Sequence, residues 1–225
     1  MGHRGAVIHV NPNMPHQVSY GESLQAGLKA HGVEAVVTTS ASHQGEWHIC
    51  IGPHFALKYW RGAKTLLLDR AYWKDPQCVS VHWLVNGEKH FSKGNPHRDH
   101  PELHPMKSGE RTIYLCDYGE TPGGDYDTVR RHPADKKPTE RLEDVLSRHD
   151  IAIGRRSTAL VDAALLGLRV ETSDPHSPVY GLTDRAQWIR DLAWHNWSQQ
   201  EIHSGDMFDV IGTDHQADQS RCLAR

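Results

Sequence analysis

The chain has 225 residues, of which 37% are hydrophobic and 24% charged, and its formal net charge is −3 at pH 7. The composition is typical of a folded globular protein. The negative net charge disfavours binding of duplex nucleic acid through a large basic surface. No apolar run is long enough to cross a membrane, and the start of the chain lacks the apolar core of a signal peptide. We therefore expect a cytoplasmic protein. Its four cysteines are widely spaced, form no Cys-x-x-Cys pair, and are expected to be ordinary thiols.

Strand and helix patterns alternate along the first hundred residues. Residues Ser19 to Ala30 place leucines at helical spacing before the helix stop Gly32, and a short helix is predicted around His54 to Arg61. This alternation is typical of a doubly wound parallel sheet. Strands are predicted at GAVIHV (5–10), EAVVTT (34–39), WHICIGP (47–53), KTLLLD (64–69) and VSVHWLV (79–85).

A polar, proline-containing stretch, residues 86–110, is predicted to be a linker or a long insertion. Its histidines invite interpretation as a metal site, but their spacing matches no compact zinc pattern, so no metal is predicted. A new strand, TIYLCDYG, begins after Arg111. We therefore place a domain boundary within 95–110. The predicted parts are a first α/β domain (1–100), a second α/β domain (101–212) and a polar tail (213–225).

The second half reads as β-α-β-α-β from Tyr126 to Leu182, with polar residues at the strand ends. His132 follows a predicted strand that Pro133 ends, and it either donates hydrogen bonds to an anion or caps a turn. Ser157 and Thr158 begin a helix, where they either cap it or help to hold a phosphate. Because both features follow strands of one unit, a nucleotide phosphate site is favoured.

These residues carry a family resemblance. RRHPAD, then DIAIGRRSTALVDAALLGLRVE, then VYGLT resembles the C-terminal half of GT-B glycosyltransferases, especially bacterial sialyltransferase and capsule-type Kdo transferase relatives. The resemblance implies two small Rossmann-like domains facing across a cleft, here reduced in size. It also implies that His132 and Pro133, together with Ser157 and Thr158, bind the donor's nucleotide. Asp162 occupies the place where many relatives have a glutamate.

Further residues are predicted for the reaction. Asp162 is expected to face a ribose hydroxyl, and Arg155 to bind phosphate or an anionic sugar. The strand KTLLLD resembles the strand that precedes the catalytic acid in capsule-type transferases, so Asp69 is the predicted catalytic base, with His16 second. A salt bridge of Asp69 to Arg70 or Lys74, or an N-cap, is the structural alternative.

The predicted function is therefore transfer of a sugar from a UDP-, GDP- or CMP-linked donor, with no further cofactor, to an acceptor hydroxyl. The acceptor class stays open among saccharide, lipid-linked glycan and modified DNA base. Two other functions are compatible with the same residues. One is a sugar-nucleotide epimerase of GT-B architecture, and the other is a noncatalytic, shrunken GT-B module that binds a nucleotide or a partner.

Overall fold

The computed structural model describes residues 3–52, 56–60, 63–73, 78–91 and 98–212. Over these residues the chain is an α/β protein with eleven strands and seven helices. The strands are β1 (His3–His9), β2 (Ala35–Thr38), β3 (Gly45–Ile51), β4 (Thr65–Arg70), β5 (Cys78–Val85), β6 (Glu88–Lys89), β7 (Thr112–Leu115), β8 (Thr128–Arg130), β9 (Ile151–Gly154), β10 (Arg169–Glu171) and β11 (Asn196–Ser198). The helices are α1 (Pro15–Ala30), α2 (Leu57–Trp60), α3 (Leu142–Ser147), α4 (Ala159–Leu165), α5 (Arg185–Ala193), α6 (Gln199–Ser204) and α7 (Asp206–Ile211).

The chain divides into two compact units. Unit 1 contains the residues up to Asn95 and those from Trp194 onward, and unit 2 runs from Pro96 to Ala193. The change from unit 1 to unit 2 thus falls at the start of the predicted boundary region. Each unit has its own sheet with parallel strands at its centre, so the predicted α/β class with Rossmann-like elements is confirmed.

The sheet of unit 1 has the strand order β11-β5-β4-β3-β1-β2, and β6 pairs with β5. Strands β2, β1, β3 and β4 are parallel, whereas β5 and β11 run antiparallel to their neighbours. Helix α1 covers one face, where its leucines meet apolar residues of β1, β3 and β4. The fully buried members of this core include Ile8, Leu24, Leu28, Ile49, Leu66 and Leu68.

The C-terminal segment corrects the predicted domain limits. Residues 101–212 were expected to form the second domain, but the chain from Trp194 to Gly212 packs in unit 1. The sequence also predicts only helices here, whereas β11 is a strand that pairs with β5, Trp197 lying opposite Val79. Trp197 is 2% exposed and lies in the unit 1 core with Phe208. Because these apolar side chains complete the core around α1, the segment folds back onto the first unit.

Local signals in that segment are confirmed. The Ser198-Gln199-Gln200-Glu201 sequence predicts a capping box at the start of a helix. The Ser198 hydroxyl accepts a hydrogen bond from the Glu201 N–H, and the Glu201 carboxylate accepts one from the Ser198 N–H, which is that capping box. Gly205 ends α6 with φ 96°, a left-handed conformation that glycine adopts without strain. The sequence therefore fixes the start and the end of this helix.

The sheet of unit 2 is wholly parallel, with the strand order β10-β9-β7-β8. Apolar residues of α3, α4 and the central strands are buried together, as the pattern predicts. The buried set includes Ile113, Leu115, Leu146, Ala152, Leu160 and Ala163. The predicted tail, 213–225, lies outside the described residues.

The predicted linker, 86–110, begins with the hairpin between β5 and β6, and from Arg98 onward it is irregular but packed. No described residue from Arg98 to Glu110 is in a helix or strand, yet the Lys107 N–H donates to the Gly167 carbonyl at 2.8 Å. The Lys107 ammonium donates to the carbonyls of Leu146, Ser147 and His149 at 2.8–3.0 Å, all at the C-terminal end of α3. One lysine therefore satisfies the unpaired carbonyls of a helix end.

Replacing Lys107 with methionine is expected to lower the free energy of unfolding by about 1–3 kcal/mol, because three carbonyls lose a charged donor. Urea unfolding followed by circular dichroism measures the change. Lys137→Met, at an exposed lysine of the same unit, is the matched control and is expected to stay within about 0.5 kcal/mol of wild type. Equal stability of the two variants would show that the Lys107 contacts contribute nothing.

Candidate functional site

A cavity of about 450 Å³ lies at the carboxyl ends of the central strands of unit 1. Strand β1 lies between β2 and β3, so the chain leaves β1 and β3 in opposite directions across the sheet. In open α/β sheets such a switch point is where ligands bind. The residues that line the cavity are Asn11, Met14, His16, Gln17, Tyr20, Ile51, Gly52, Leu68, Asp69, Arg70 and Val79.

Both predicted catalytic residues, Asp69 and His16, line this one cavity. Asp69 comes from the end of β4, and His16 from the first turn of α1. The two residues lie more than fifty positions apart in the sequence. They come together because the end of β4 and the loop after β1 lie at the same edge of the sheet. The structure thus brings together two residues that the sequence singled out separately.

The loop between β1 and α1 is held in place by side-chain hydrogen bonds. The buried Gln17 amide oxygen accepts from the Asn11 N–H at 2.9 Å, and the Asn11 side chain accepts from the Asn13 N–H at 3.0 Å. Pro15 occupies the first turn of α1, which contains no acidic residue. The cavity wall formed by this loop is therefore preorganised and carries no negative charge of its own.

Asp69 forms an ion pair that the sequence did not predict. Its Oδ2 lies 2.7 Å from the Lys89 Nζ, while its Oδ1 accepts from the Arg70 N–H at 2.8 Å. Lys89 reaches this position because Asn86 and Gly87, with φ 52° and 78°, form a tight turn between β5 and β6. Asn-Gly is a strong hairpin signal, so the sequence did contain a clue to the hairpin. The predicted partner Lys74 lies outside the described residues.

A buried aromatic network supports the strands next to Asp69. The His82 Nδ1 lies 2.9 Å from the His90 carbonyl and must donate to it, so its Nε2 accepts from the Tyr72 hydroxyl at 2.8 Å. Burial, and then the Asp69 charge, raises the pKa of Tyr72; burial, and then His195, lowers the pKa of His82. Both groups are therefore neutral near pH 7, and they fix the side chains without adding charge.

The second candidate site lies at the carboxyl edge of the unit 2 sheet. Strand β7 lies between β8 and β9, so the loops after β7 and β9 form the switch point of this unit. The two predicted donor motifs follow β8 and β9, on either side of β7. Adjacent strands lie about 4.8 Å apart, which places the two motif loops roughly two strand spacings from each other.

The arginines after β9 converge on one carboxylate. Arg156 Nε and Arg155 Nη2 lie 2.7 and 3.4 Å from the same Oδ2 of Asp174, whose side chain is 9% exposed. The strand ends at Gly154, so strand alternation does not apply to the pair and both side chains reach the same side. Burial acts to raise the pKa of Asp174, but hydrogen bonds from Arg156 and the His176 N–H outweigh it and lower the pKa. Asp174 therefore stays ionised.

The loop after β7 is bonded to both motif loops. Asp117 accepts from the Arg156 N–H at 3.1 Å, and the Gly119 N–H donates to Asp135 at 2.7 Å, three residues beyond His132. The rings of Tyr118 and His132 meet edge to face at 5.8 Å between centroids. Burial raises the pKa of Asp117, and the hydrogen bond from the Arg156 N–H, which acts to lower this pKa, offsets only part of the effect. The three loops thus form one platform at the sheet edge.

The remaining predicted donor residues lie on this edge or beside it. Pro133 is exposed directly after His132, beyond the end of β8. Thr158 is the N-cap of α4, but its side chain makes no capping hydrogen bond, and the neighbouring Ser157 is half-buried. Asp162 lies in the first turn of α4 and is half-buried.

Sequence reasoning missed Asp117, Tyr118 and Asp174. The pattern predicts a strand through residue 119 that includes Asp117 and Tyr118, whereas β7 ends at Leu115 and both residues lie in the loop that follows. Asp174 follows β10 in a Thr-Ser-Asp-Pro sequence, which is a turn signal. Only the fold shows that this turn meets Arg155 and Arg156.

No protein-family model matches the chain, and no curated protein is significantly similar to it. Within the described ranges, no three histidine, cysteine, aspartate or glutamate side chains are grouped so that they could hold a metal ion. Of the helices that the structure describes, none combines the length and the apolar character that a membrane crossing requires.

Proposed function

We propose that the protein is a nucleotide-sugar-dependent glycosyltransferase of the GT-B class. Unit 2 binds the donor's nucleotide diphosphate or monophosphate at the edge of its parallel sheet. Unit 1 binds the acceptor in the cavity that Asp69 and His16 line. The acceptor is a saccharide, a glycolipid or, less compatibly with the net charge of −3, a modified DNA base.

One observation carries the proposal. The two motifs that resemble the donor site of GT-B transferases, around His132 and around Ser157, both follow strands of one parallel sheet and are hydrogen-bonded to the same intervening loop. A nucleotide bound across that loop would contact both motifs. The switch-point position is independent support, because ligands of open α/β sheets bind there.

The charges at this edge suit a phosphate. Arg155 and Arg156 share a single carboxylate oxygen of Asp174, and the Arg155 side chain is 56% exposed. A guanidinium group oriented by a buried carboxylate is a preorganised hydrogen-bond donor to phosphate. In the reaction, this charge would stabilise the nucleotide as it leaves the anomeric carbon.

The acceptor side needs a base. As the anomeric carbon becomes oxocarbenium-like, a carboxylate removes the proton from the acceptor hydroxyl. Asp69 is proposed for this step, and Lys89 at 2.7 Å would hold its carboxylate in one orientation. His16, exposed on the same cavity, is the second candidate for the base.

The Asp69–Lys89 ion pair also favours a second function. A carboxylate whose main role is that ion pair has a structural purpose, as expected of a noncatalytic nucleotide-binding module. In that case unit 2 would still bind nucleotide, but no sugar would be transferred.

The Arg155→Met variant tests the donor site. We expect it to weaken the binding of UDP, GDP or CMP about 10- to 150-fold, because it removes a charged phosphate contact worth about 1.5–3 kcal/mol. Isothermal titration calorimetry measures the dissociation constant. Arg169→Met is the control, since Arg169 lies in β10 and pairs with Glu171 rather than with Asp174. Equal affinity of the two variants for every nucleotide would contradict the role of Arg155.

A further inference from the structure

Tyr118 is the most exposed large hydrophobic side chain among the described residues, at 73%. It lies in the loop after β7, between the two loops that carry the donor motifs. An exposed aromatic ring at this edge offers a π face on which a planar group of a ligand can stack.

The backbone on both sides of Tyr118 is fixed. The Asp117 N–H donates to the Glu120 carboxylate at 2.8 Å, and Asp117 itself accepts from the Arg156 N–H. On the other side, the Gly119 N–H donates to Asp135. A mobile surface loop would lack these bonds. The loop instead presents one uncovered ring on a backbone that is bonded to both motif loops.

The second carboxylate oxygen and the backbone carbonyl of Glu120 also form hydrogen bonds, which hold this loop further. Its Oε1 accepts from the Tyr114 hydroxyl at 2.8 Å, and its carbonyl accepts from Arg131. Burial, and then the hydrogen bond to Glu120, raises the pKa of Tyr114, so this hydroxyl keeps its proton and the bond persists at neutral pH. The backbone that carries Tyr118 is therefore held by hydrogen bonds within unit 2.

The ring of Tyr118 also has a defined neighbour. His132 lies at 5.8 Å between ring centroids, with 78° between the ring planes. This contact covers only a small part of the tyrosine, since 73% of the residue stays exposed. His132 belongs to the first donor motif, so the open surface of Tyr118 lies beside the proposed phosphate site.

We propose that Tyr118 stacks on the nucleobase of the bound nucleotide. This inference rests on the proposed function, and it assigns the base to the loop after β7 and the phosphates to the loops after β8 and β9. Because every base has a π face, stacking on a tyrosine is tolerant of base identity. Stacking of this kind adds affinity for the nucleotide but does not distinguish one base from another, because the ring makes no hydrogen bonds to the base.

The test compares nucleotides with inorganic pyrophosphate, which has no base. Isothermal titration calorimetry is run with UDP, GDP, CMP and pyrophosphate on wild type, Tyr118→Ala, Tyr118→Phe and Tyr59→Ala. Tyr59 is a control tyrosine that is 62% exposed in α2 of unit 1. We expect Tyr118→Ala to weaken nucleotide binding about 10-fold and to leave pyrophosphate binding unchanged. Tyr118→Phe and Tyr59→Ala are expected to bind like wild type.

The other outcomes overturn the inference in distinguishable ways. If wild type binds nucleotides and Tyr118→Ala binds them equally well, the stacking role is wrong and the proposed function stands. An equal loss of nucleotide and pyrophosphate binding in Tyr118→Ala would mean that the residue supports the phosphate site instead of the base. Wild type that binds no nucleotide would overturn both this inference and the proposed function.

Discussion

Replacing Asp69 with asparagine is expected to lower the turnover number for sugar transfer by about 10²- to 10⁴-fold, which is the usual contribution of a positioned general base. Donor affinity is expected to stay unchanged, because the proposed donor-binding residues lie in unit 2 and Asp69 lies in unit 1. The turnover is measured as the nucleotide released from the donor, either with an acceptor present or by hydrolysis, in which water replaces the acceptor. The amide keeps the shape of the carboxylate and removes its basicity.

Two variants make the result specific. Glu46→Gln changes an exposed acid at the opposite end of the unit 1 sheet and is expected to be fully active. His16→Asn tests the second candidate for the base. Full activity of Asp69→Asn together with an inactive His16→Asn would transfer the role to His16. Full activity of both would show that neither residue is the catalytic base, whereas wild type that binds nucleotide but transfers no sugar would favour the noncatalytic alternative.

Replacing Gly27 with alanine is expected to lower the free energy of unfolding by about 1–3 kcal/mol, the usual cost of overpacking a core. Gly27 lies on α1 where α6 crosses it, and a Cβ at this position would overlap the Ile202 backbone carbonyl and contact Phe208. In an exposed helix the same change would stabilise by about 1 kcal/mol. The sign of the effect therefore reports whether α6 packs on α1.

Urea unfolding of Gly27→Ala checks this directly. Lys29→Ala is the control, because Lys29 is an exposed residue of the same helix and is expected to change stability by no more than about 0.5 kcal/mol. A Gly27→Ala protein that is more stable than wild type would mean that residues 194–212 do not pack on unit 1.

The elements with strong periodicity were predictable. The strand at 64–69 appears as β4 (Thr65–Arg70), and the predicted helix at Ser19 to Ala30 lies within α1. The pattern predicts the start of α1 too late, because proline favours loops although Pro15 also suits the first turn of a helix. Strand β11 was missed because its three residues lie between helices and gain their strand conformation only by pairing with β5.

The destination of the C-terminal segment could not be predicted from local signals. Its capping box and Gly205 define α6, but nothing in the local pattern says which unit the helix covers. That choice depends on the apolar surface of α1, about 170 residues earlier, where Gly27 allows close approach. Long-range packing of this kind is not encoded in a short sequence window.

The candidate sites were predictable to the extent that strand ends locate them. His132 and Ser157 follow strands of the unit 2 sheet, and Asp69 lies at the end of β4 in the unit 1 sheet. Parallel strands bring such positions to one edge of their own sheet. The partners that orient them were not predictable. Lys89 reaches Asp69 through the β5–β6 hairpin, and Asp174 reaches Arg155 and Arg156 across β9 and β10.

The central claim is that unit 2 binds a nucleotide-sugar donor, and a thermal-shift titration of wild type with UDP, GDP, CMP and their sugars tests it most directly. A ligand that binds only the folded state stabilises it by about 2.7 kcal/mol at 100 times its dissociation constant. We predict a concentration-dependent rise in Tm with at least one nucleotide and its sugar. The absence of any rise up to millimolar concentrations of all of them would contradict the proposed function.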